Sequence, residues 1–140
     1  MAMTTLFLCT GNSCRSQMIE GLARARWGEN HRFYSAGVEA HGLNSKAVRV
    51  MAEIGIDISS HESKVVDTLS DIDFDLVITV CGHAHESCPA YLRDGNIIHR
   101  GFPDPAKAEG SEDEVMAAFR SVRDELKVFV DDELGKLLHM

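Results

Sequence analysis

The sequence predicts a single α/β domain, a three-layer sandwich in which a parallel sheet is covered by helices on both faces. Two observations carry this. Short apolar runs alternate along the chain with longer segments of helical periodicity, the pattern of consecutive βαβ units. The 140 residues hold no repeat, low-complexity tract or Pro/Gly/Ser linker, and the three prolines fall at Pro89, Pro103 and Pro105. A chain of this length buries one adequate core without disulfide staples.

The elements follow in order. Thr5 to Cys9 is a short apolar strand closed by the turn signals Gly11, Asn12 and Ser13. From Cys14 to about Gly28, Met18, Leu22 and Ala25, with Ile19 and Ala23 alongside, recur at helical spacing. Arg32 to Ala36 forms a second strand before Gly37. Ala47, Val50, Met51 and Ile54 mark a helix that Gly55 ends. Phe74 to Val80 is a third strand and Asn96 to His99 a fourth. Ser111 and Glu114 make a capping box, after which Val115, Phe119, Val122, Leu126, Phe129, Val130 and Leu137 line one face of a long C-terminal helix. In such folds, ligands sit beyond the carboxyl ends of the strands, and Cys9 ends the first strand at that edge.

Composition narrows the function classes. With 14 Lys+Arg against 22 Asp+Glu the formal net charge is −8, so general nucleic-acid binding, which draws its affinity from phosphate neutralisation, is not expected. The longest apolar run, Leu76 to Cys81, is far short of the about 18 residues of a membrane span. The N-terminus lacks the basic region and long apolar stretch of a signal peptide. A cytoplasmic protein with no membrane association is expected. There, four cysteines point to catalysis, redox chemistry or metal binding rather than to structural staples.

The run Cys9, Thr10, Gly11, Asn12, Ser13, Cys14, Arg15, Ser16 places a cysteine at a strand end, an arginine six positions later and small residues between. Wrapped into a semicircle, its backbone N–H groups and the positive end of the following helix form a nest for a tetrahedral oxyanion. Gly11 can adopt the positive φ such a curve demands, and Asn12 tolerates it better than most residues. Arg15 adds a bidentate clamp. The same field favours the Cys9 thiolate and makes it a nucleophile, and Ser16 can donate to its sulfur. Cys14, at the helix start, reads as a small core residue whose backbone belongs to the loop.

The segment His99 to Ala106 leaves the fourth strand at the same sheet edge. Asp104, stiffened between Pro103 and Pro105, is placed to protonate a leaving oxygen, although Asp-Pro is also a common turn. Cys81 and Cys88 enclose His83 and His85. Three readings stand side by side: a thiol pair exchanging disulfides with Cys9, a zinc site of Cys81, His83, His85 and Cys88, or two ordinary reduced cysteines. Six residues between the cysteines is not the common Cys-x-x-Cys knuckle.

Over nearly its whole length the sequence resembles the thioredoxin-coupled arsenate reductases, built on the low-molecular-weight protein tyrosine phosphatase fold. The resemblance rests on the run from Cys9 through Gln17 and Met18, on Tyr34 to Gly37, His41 to Ala47, Cys81, Cys88, Asp104 to Ala106 and Val122 to Lys127. Cys81, Cys88 and Ala106, where phosphatases usually carry tyrosine, separate it from the phosphatase branch, which remains the alternative. The resemblance implies strand order 2-1-3-4, arsenate as substrate and Cys9 as nucleophile. It makes Arg15 and the loop from Thr10 to Ser16 the anion site and Asp104 the acid. It also implies a Cys9–Cys81–Cys88 disulfide relay reduced by thioredoxin, with no bound cofactor or catalytic metal, a monomer, and a weak phosphatase side activity. Some members hold a potassium ion through residues matching Asn12, Glu20 and Ser35 plus an acidic side chain. Lys64 stands at that last position, so no cation dependence is expected, and Asn12 and Ser35 are expected to brace the loop.

Overall fold

The computed structural model describes residues 2–82 and 96–139. Four strands, β1 (Thr4–Cys9), β2 (Arg32–Gly37), β3 (Leu76–Thr79) and β4 (Asn96–His99), form one parallel sheet in the order β2-β1-β3-β4, as the resemblance implied. Register pairs Cys9 with Gly37, Leu8 with Thr79 and Thr79 with His99. The four carboxyl ends therefore share one edge, where the loops after β1 and β3 start side by side and the loop after β4 starts one strand further out.

Successive side chains of a strand point to opposite faces, and Leu6, Phe7 and Leu8 of β1 and Leu76 to Thr79 of β3 are all buried. Both faces of the sheet are covered. The helices are α1 (Arg15–Trp27), α2 (Ser45–Ala52) and α3 (Glu112–Phe129), which continues through a wider π-type stretch, Val130–Leu134, into α4 (Gly135–Leu138). Short 3₁₀ turns lie at Val66–Leu69 and Pro105–Lys107. The capping box forms: Ser111 Oγ accepts from the Glu114 N–H at 3.2 Å, and Glu114 Oε1 accepts from the Ser111 N–H at 3.5 Å. Met116, Phe119, Val122, Leu126 and Phe129 form the buried stripe behind it. At the π-type stretch the carbonyl of Val130 accepts from Trp27 Nε1 at 2.9 Å, a side-chain bond inserted where the helical ladder is loosened.

β1 and β2 each run one residue beyond the expectation, from Thr4 and to Gly37, and two larger differences stand beside them. The third strand spans Leu76–Thr79 rather than Phe74 to Val80. At its start Asp75 still meets β1, its N–H donating to the Thr4 carbonyl and its carboxylate accepting from the Thr4 N–H, both at 2.8 Å. The second helix ends at Ala52, not Ile54, because the turn into Gly55 (φ +79°) begins there, and this leaves Ile54 at the surface. Its start was not legible from apolar spacing: Asn44 Oδ1 accepts from the N–H groups of Lys46 and Ala47 at 2.8 and 3.2 Å, an N-cap.

Candidate active site

The loop from Cys9 to Arg15 takes its shape from what its carbonyls bond to. The Cys9 carbonyl accepts from Val38 N–H (3.1 Å), Thr10 from Glu39 N–H (2.9 Å), Gly11 from His41 N–H (2.9 Å) and Ser13 from Asn44 N–H (3.0 Å). The Asn12 carbonyl accepts from Gln17 Nε2 at 3.2 Å. Five consecutive carbonyls are thus held outward by the segment 38–44 and one glutamine, which turns the loop amides toward the concave side, as an anion nest requires. Gly37 lets this happen: a methyl there would fall 2.7 Å from the Thr10 carbonyl oxygen and 2.8 Å from Asn12 N.

Of the two residues able to take the positive φ, the structure uses Asn12. The positive φ falls on Asn12 (φ 49°), and Gly11 is not among the positive-φ residues. Asn12 sustains the conformation because its side chain is fully bonded. Its Nδ2 donates to Ser16 Oγ at 2.8 Å and Ser35 Oγ at 3.1 Å, and its Oδ1 accepts from Gln17 Nε2 at 3.0 Å and Lys64 N–H at 2.9 Å. Gly11 instead leaves room for the His41 ring, since a methyl there would lie 2.3 Å from Nδ1.

Behind Asn12, Ser35 Oγ donates to Glu20 Oε1 at 2.5 Å, and the buried Glu20 carboxylate meets Arg24 Nε at 3.0 Å and His61 Nε2 at 3.8 Å. Asn12 and Ser35 therefore brace the loop, as expected. Lys64 donates from Nζ to the Glu62 carbonyl at 3.0 Å. Burial lowers the pKa of its ammonium and the Glu20 carboxylate opposes that shift.

Cys9 is buried, with its Sγ 3.0 Å from Ser16 Oγ and 3.3 Å from the Asn12 N–H. Both groups can donate to an anionic sulfur. Cys14, immediately before α1, is also buried, and its thiol is pushed up to about 11. Burial is the main cause; the Asp104 and Cys9 charges add to it, while Ser13 and Arg15 oppose it. It stays a thiol at neutral pH, in keeping with a core role.

Arg15, the first residue of α1, donates from Nη1 to the Phe102 carbonyl at 3.1 Å and lies 3.7 Å from Asp104 Oδ2 through Nη2. Asp104 caps the turn at Pro105–Lys107, its Oδ1 accepting from the Ala106 N–H at 3.0 Å. The Asp-Pro turn and the acid position are thus the same feature: one oxygen holds the turn and the other faces the arginine. Cys81, two residues beyond β3 and buried, has its Sγ 3.0 Å from Thr10 Oγ1.

These groups surround an open cavity of about 570 Å³ whose walls include Cys9, Thr10, Gly11, Ser13, Cys14, Arg15, Cys81 and Asp104. Asn12 and Ser16 stand behind the wall as braces. Cys88, His83 and His85 lie outside the described residues, as does the zinc set built on them. Among the described residues no group of three His, Cys, Asp or Glu side chains converges to hold a metal. Nor is any helix among them long and apolar enough to cross a membrane.

Motif reading missed three contributors. Gln17 joins the loop to the Glu62 carbonyl at 3.0 Å, Lys107 lines the cavity beside Asp104, and His41 forms part of its wall. Gln17 and His41 lie within the segments that carry the resemblance, but nothing in their spacing assigns them a role.

Comparison with known proteins fits this geometry. Residues 4–138 match the family model of low molecular weight phosphotyrosine protein phosphatases. An arsenate reductase of Halalkalibacterium halodurans is 54% identical over 120 residues, covering 86% of either chain. A solved arsenate reductase in a phosphate-binding state superimposes with a TM-score of 0.77 at 29% identity, over 96% of this chain and 98% of the other. A low molecular weight protein tyrosine phosphatase from T. tengcongensis gives 0.79 at 29% identity, over 96% and 99%.

Proposed function

This chain belongs to the low molecular weight phosphotyrosine protein phosphatase family, and from that premise we propose that it reduces arsenate to arsenite, with thioredoxin supplying the electrons. The observation that carries the reading is a second thiol, Cys81, on the same cavity as Cys9, in contact with the neighbouring Thr10. A phosphatase needs one thiolate; the second has a use when the bound element can itself be reduced.

In this mechanism the loop amides and Arg15 hold arsenate, and the Cys9 thiolate forms a sulfur–arsenic bond as one oxygen leaves, protonated by Asp104. The Cys81 thiolate then attacks the Cys9 sulfur. A Cys9–Cys81 disulfide forms, the sulfur–arsenic bond breaks, and its electron pair stays on arsenic, which departs as arsenite. Cys88 attacks the Cys81 sulfur and releases the Cys9 thiolate. The Cys81–Cys88 disulfide is reduced by the dithiol of thioredoxin. Two electrons enter and two leave. Arsenic(V) accepts them and phosphorus(V) does not, so phosphate enters the pocket as a competitor. The protein works as a cytoplasmic monomer in arsenic detoxification with no bound cofactor, and retains a weak phosphatase activity.

The test is arsenate-dependent NADPH oxidation with thioredoxin and its reductase, expected to be lost in Cys9→Ser, Cys81→Ser and Cys88→Ser. The family description supports a second reading, a phosphotyrosine phosphatase. It predicts aryl phosphate turnover that survives Cys81→Ser at the wild-type rate, with no arsenate-dependent oxidation.

A further inference from the structure

His41 contributes to the cavity wall and has no role in the chemistry above. One contact and one close approach place its ring. Nε2 lies 2.6 Å from Glu39 Oε2, and the Nδ1 edge occupies the space that a side chain at Gly11 would fill, with Nδ1 the atom nearest that point. The backbone reinforces the placement, because the His41 N–H donates to the Gly11 carbonyl and the Glu39 N–H to the Thr10 carbonyl, both at 2.9 Å. The side chain is about half exposed (52%). A core-packing role does not account for a ring at a cavity wall with a carboxylate aimed at its far nitrogen.

We propose that Glu39 and His41 form a dyad that completes the oxyanion pocket, with Glu39 orienting the ring through Nε2 and His41 Nδ1 donating to an oxygen of the bound tetrahedral anion. Donation from both nitrogens requires the doubly protonated ring, so the dyad brings one positive charge to the anion beside Arg15. The ligand class it favours is a tetrahedral oxyanion carrying two negative charges, held by a charge-assisted bond. The proposal rests on the reading of the cavity as an oxyanion site and adds a binding group to it. It also gives Gly11 a reason to be glycine that backbone conformation does not supply.

The test uses inorganic phosphate and the full-length protein. Phosphate protection of Cys9 against iodoacetamide, read by peptide mass, gives an apparent affinity without involving the disulfide relay. His41→Ala is expected to weaken protection about tenfold, with a urea midpoint close to wild type because the side chain is half exposed. Glu39→Gln discriminates. It removes a negative charge near the anion, which on charge count alone would strengthen phosphate binding, whereas the dyad predicts a loss of about threefold. In the His41→Ala background Glu39→Gln is expected to produce no such loss. Wild-type protection in His41→Ala, or tighter binding in Glu39→Gln, overturns the dyad while leaving the oxyanion pocket in place. Absence of phosphate protection in the wild-type protein overturns the pocket reading and the dyad together.

Discussion

Thr10 Oγ1 and Cys81 Sγ lie 3.0 Å apart, joining the residue that follows β1 to the second residue beyond β3. The contact links the loop after β1 to the second thiol. A hydroxyl in this position can donate to a thiolate and hold it toward Cys9. Thr10→Val keeps the shape and removes the donor. It is expected to slow arsenate turnover about tenfold, the size of one hydrogen bond to a charged group, while the rate of Cys9 alkylation changes little. Thr10→Ser is expected to restore most of the activity. Steady-state rates in the thioredoxin-coupled assay check both.

Asn12 is the structural pin of the loop. Four bonds converge on its side chain, the residue is fully buried and its φ is positive. Asn12→Ala leaves Ser16, Ser35, Gln17 and the Lys64 amide without that partner. A loss of about 3 kcal/mol in unfolding free energy is expected, as for other buried polar networks broken at one member. Urea denaturation measures it. A loss below about 1 kcal/mol would show that the network re-forms without Asn12.

Cys14 and Cys9 share the cavity but differ in chemistry. Burial raises the Cys14 thiol to about 11, so iodoacetamide at pH 7.5 is expected to leave it unlabelled. The unfolded chain ionises this thiol near the usual 9, the folded chain about two units later. Stability is therefore complete below pH 9 and falls as pH rises from 9 to 11, by up to about 2 kcal/mol. Cys14→Ala is expected to flatten that decline. Urea midpoints taken at pH 8, 9.5 and 10.5 test the sign.

Glu53 ties α2 to α3. Arg120 grips its carboxylate through Nε and Nη2, and Arg123 adds a bond of 2.8 Å while also donating to the Val50 carbonyl. The hydrogen bond from Arg120 is the main reason its pKa is lowered to about 2. A carboxylate with a depressed folded pKa stabilises above its ordinary value near 4.5 and loses that contribution as pH falls toward 2. Glu53→Gln is expected to be less stable than wild type at pH 6, with the difference closing between pH 4.5 and 2. Thermal unfolding across that range decides it.

The acidic composition that argues against general nucleic-acid binding has little force against a small anion held in one pocket. A net charge of −8 is spread over a surface in water, where it is screened within about 10 Å. The pocket field is local, set by loop amides and Arg15 at contact distance. Composition describes the far field and the loop sequence describes the near one.

The order of strands and helices, the strand-end position of Cys9, the capping box at Ser111 and the strand–loop–helix run from Cys9 to Ser16 were determined by sequence alone. Each depends on local periodicity or on residues a few positions apart, which linear spacing records directly. The tertiary structure decided the rest. It assigned the positive φ to Asn12 rather than Gly11, because Asn12 alone is bonded from Ser16, Ser35, Gln17 and Lys64. It seated His41 against Gly11, brought Asp104 to Arg15, and set Thr10 beside Cys81 across 71 positions of chain. Those distances follow from parallel pairing of β1 with β2 and β3 and of β3 with β4, a non-local register that no short window of sequence contains.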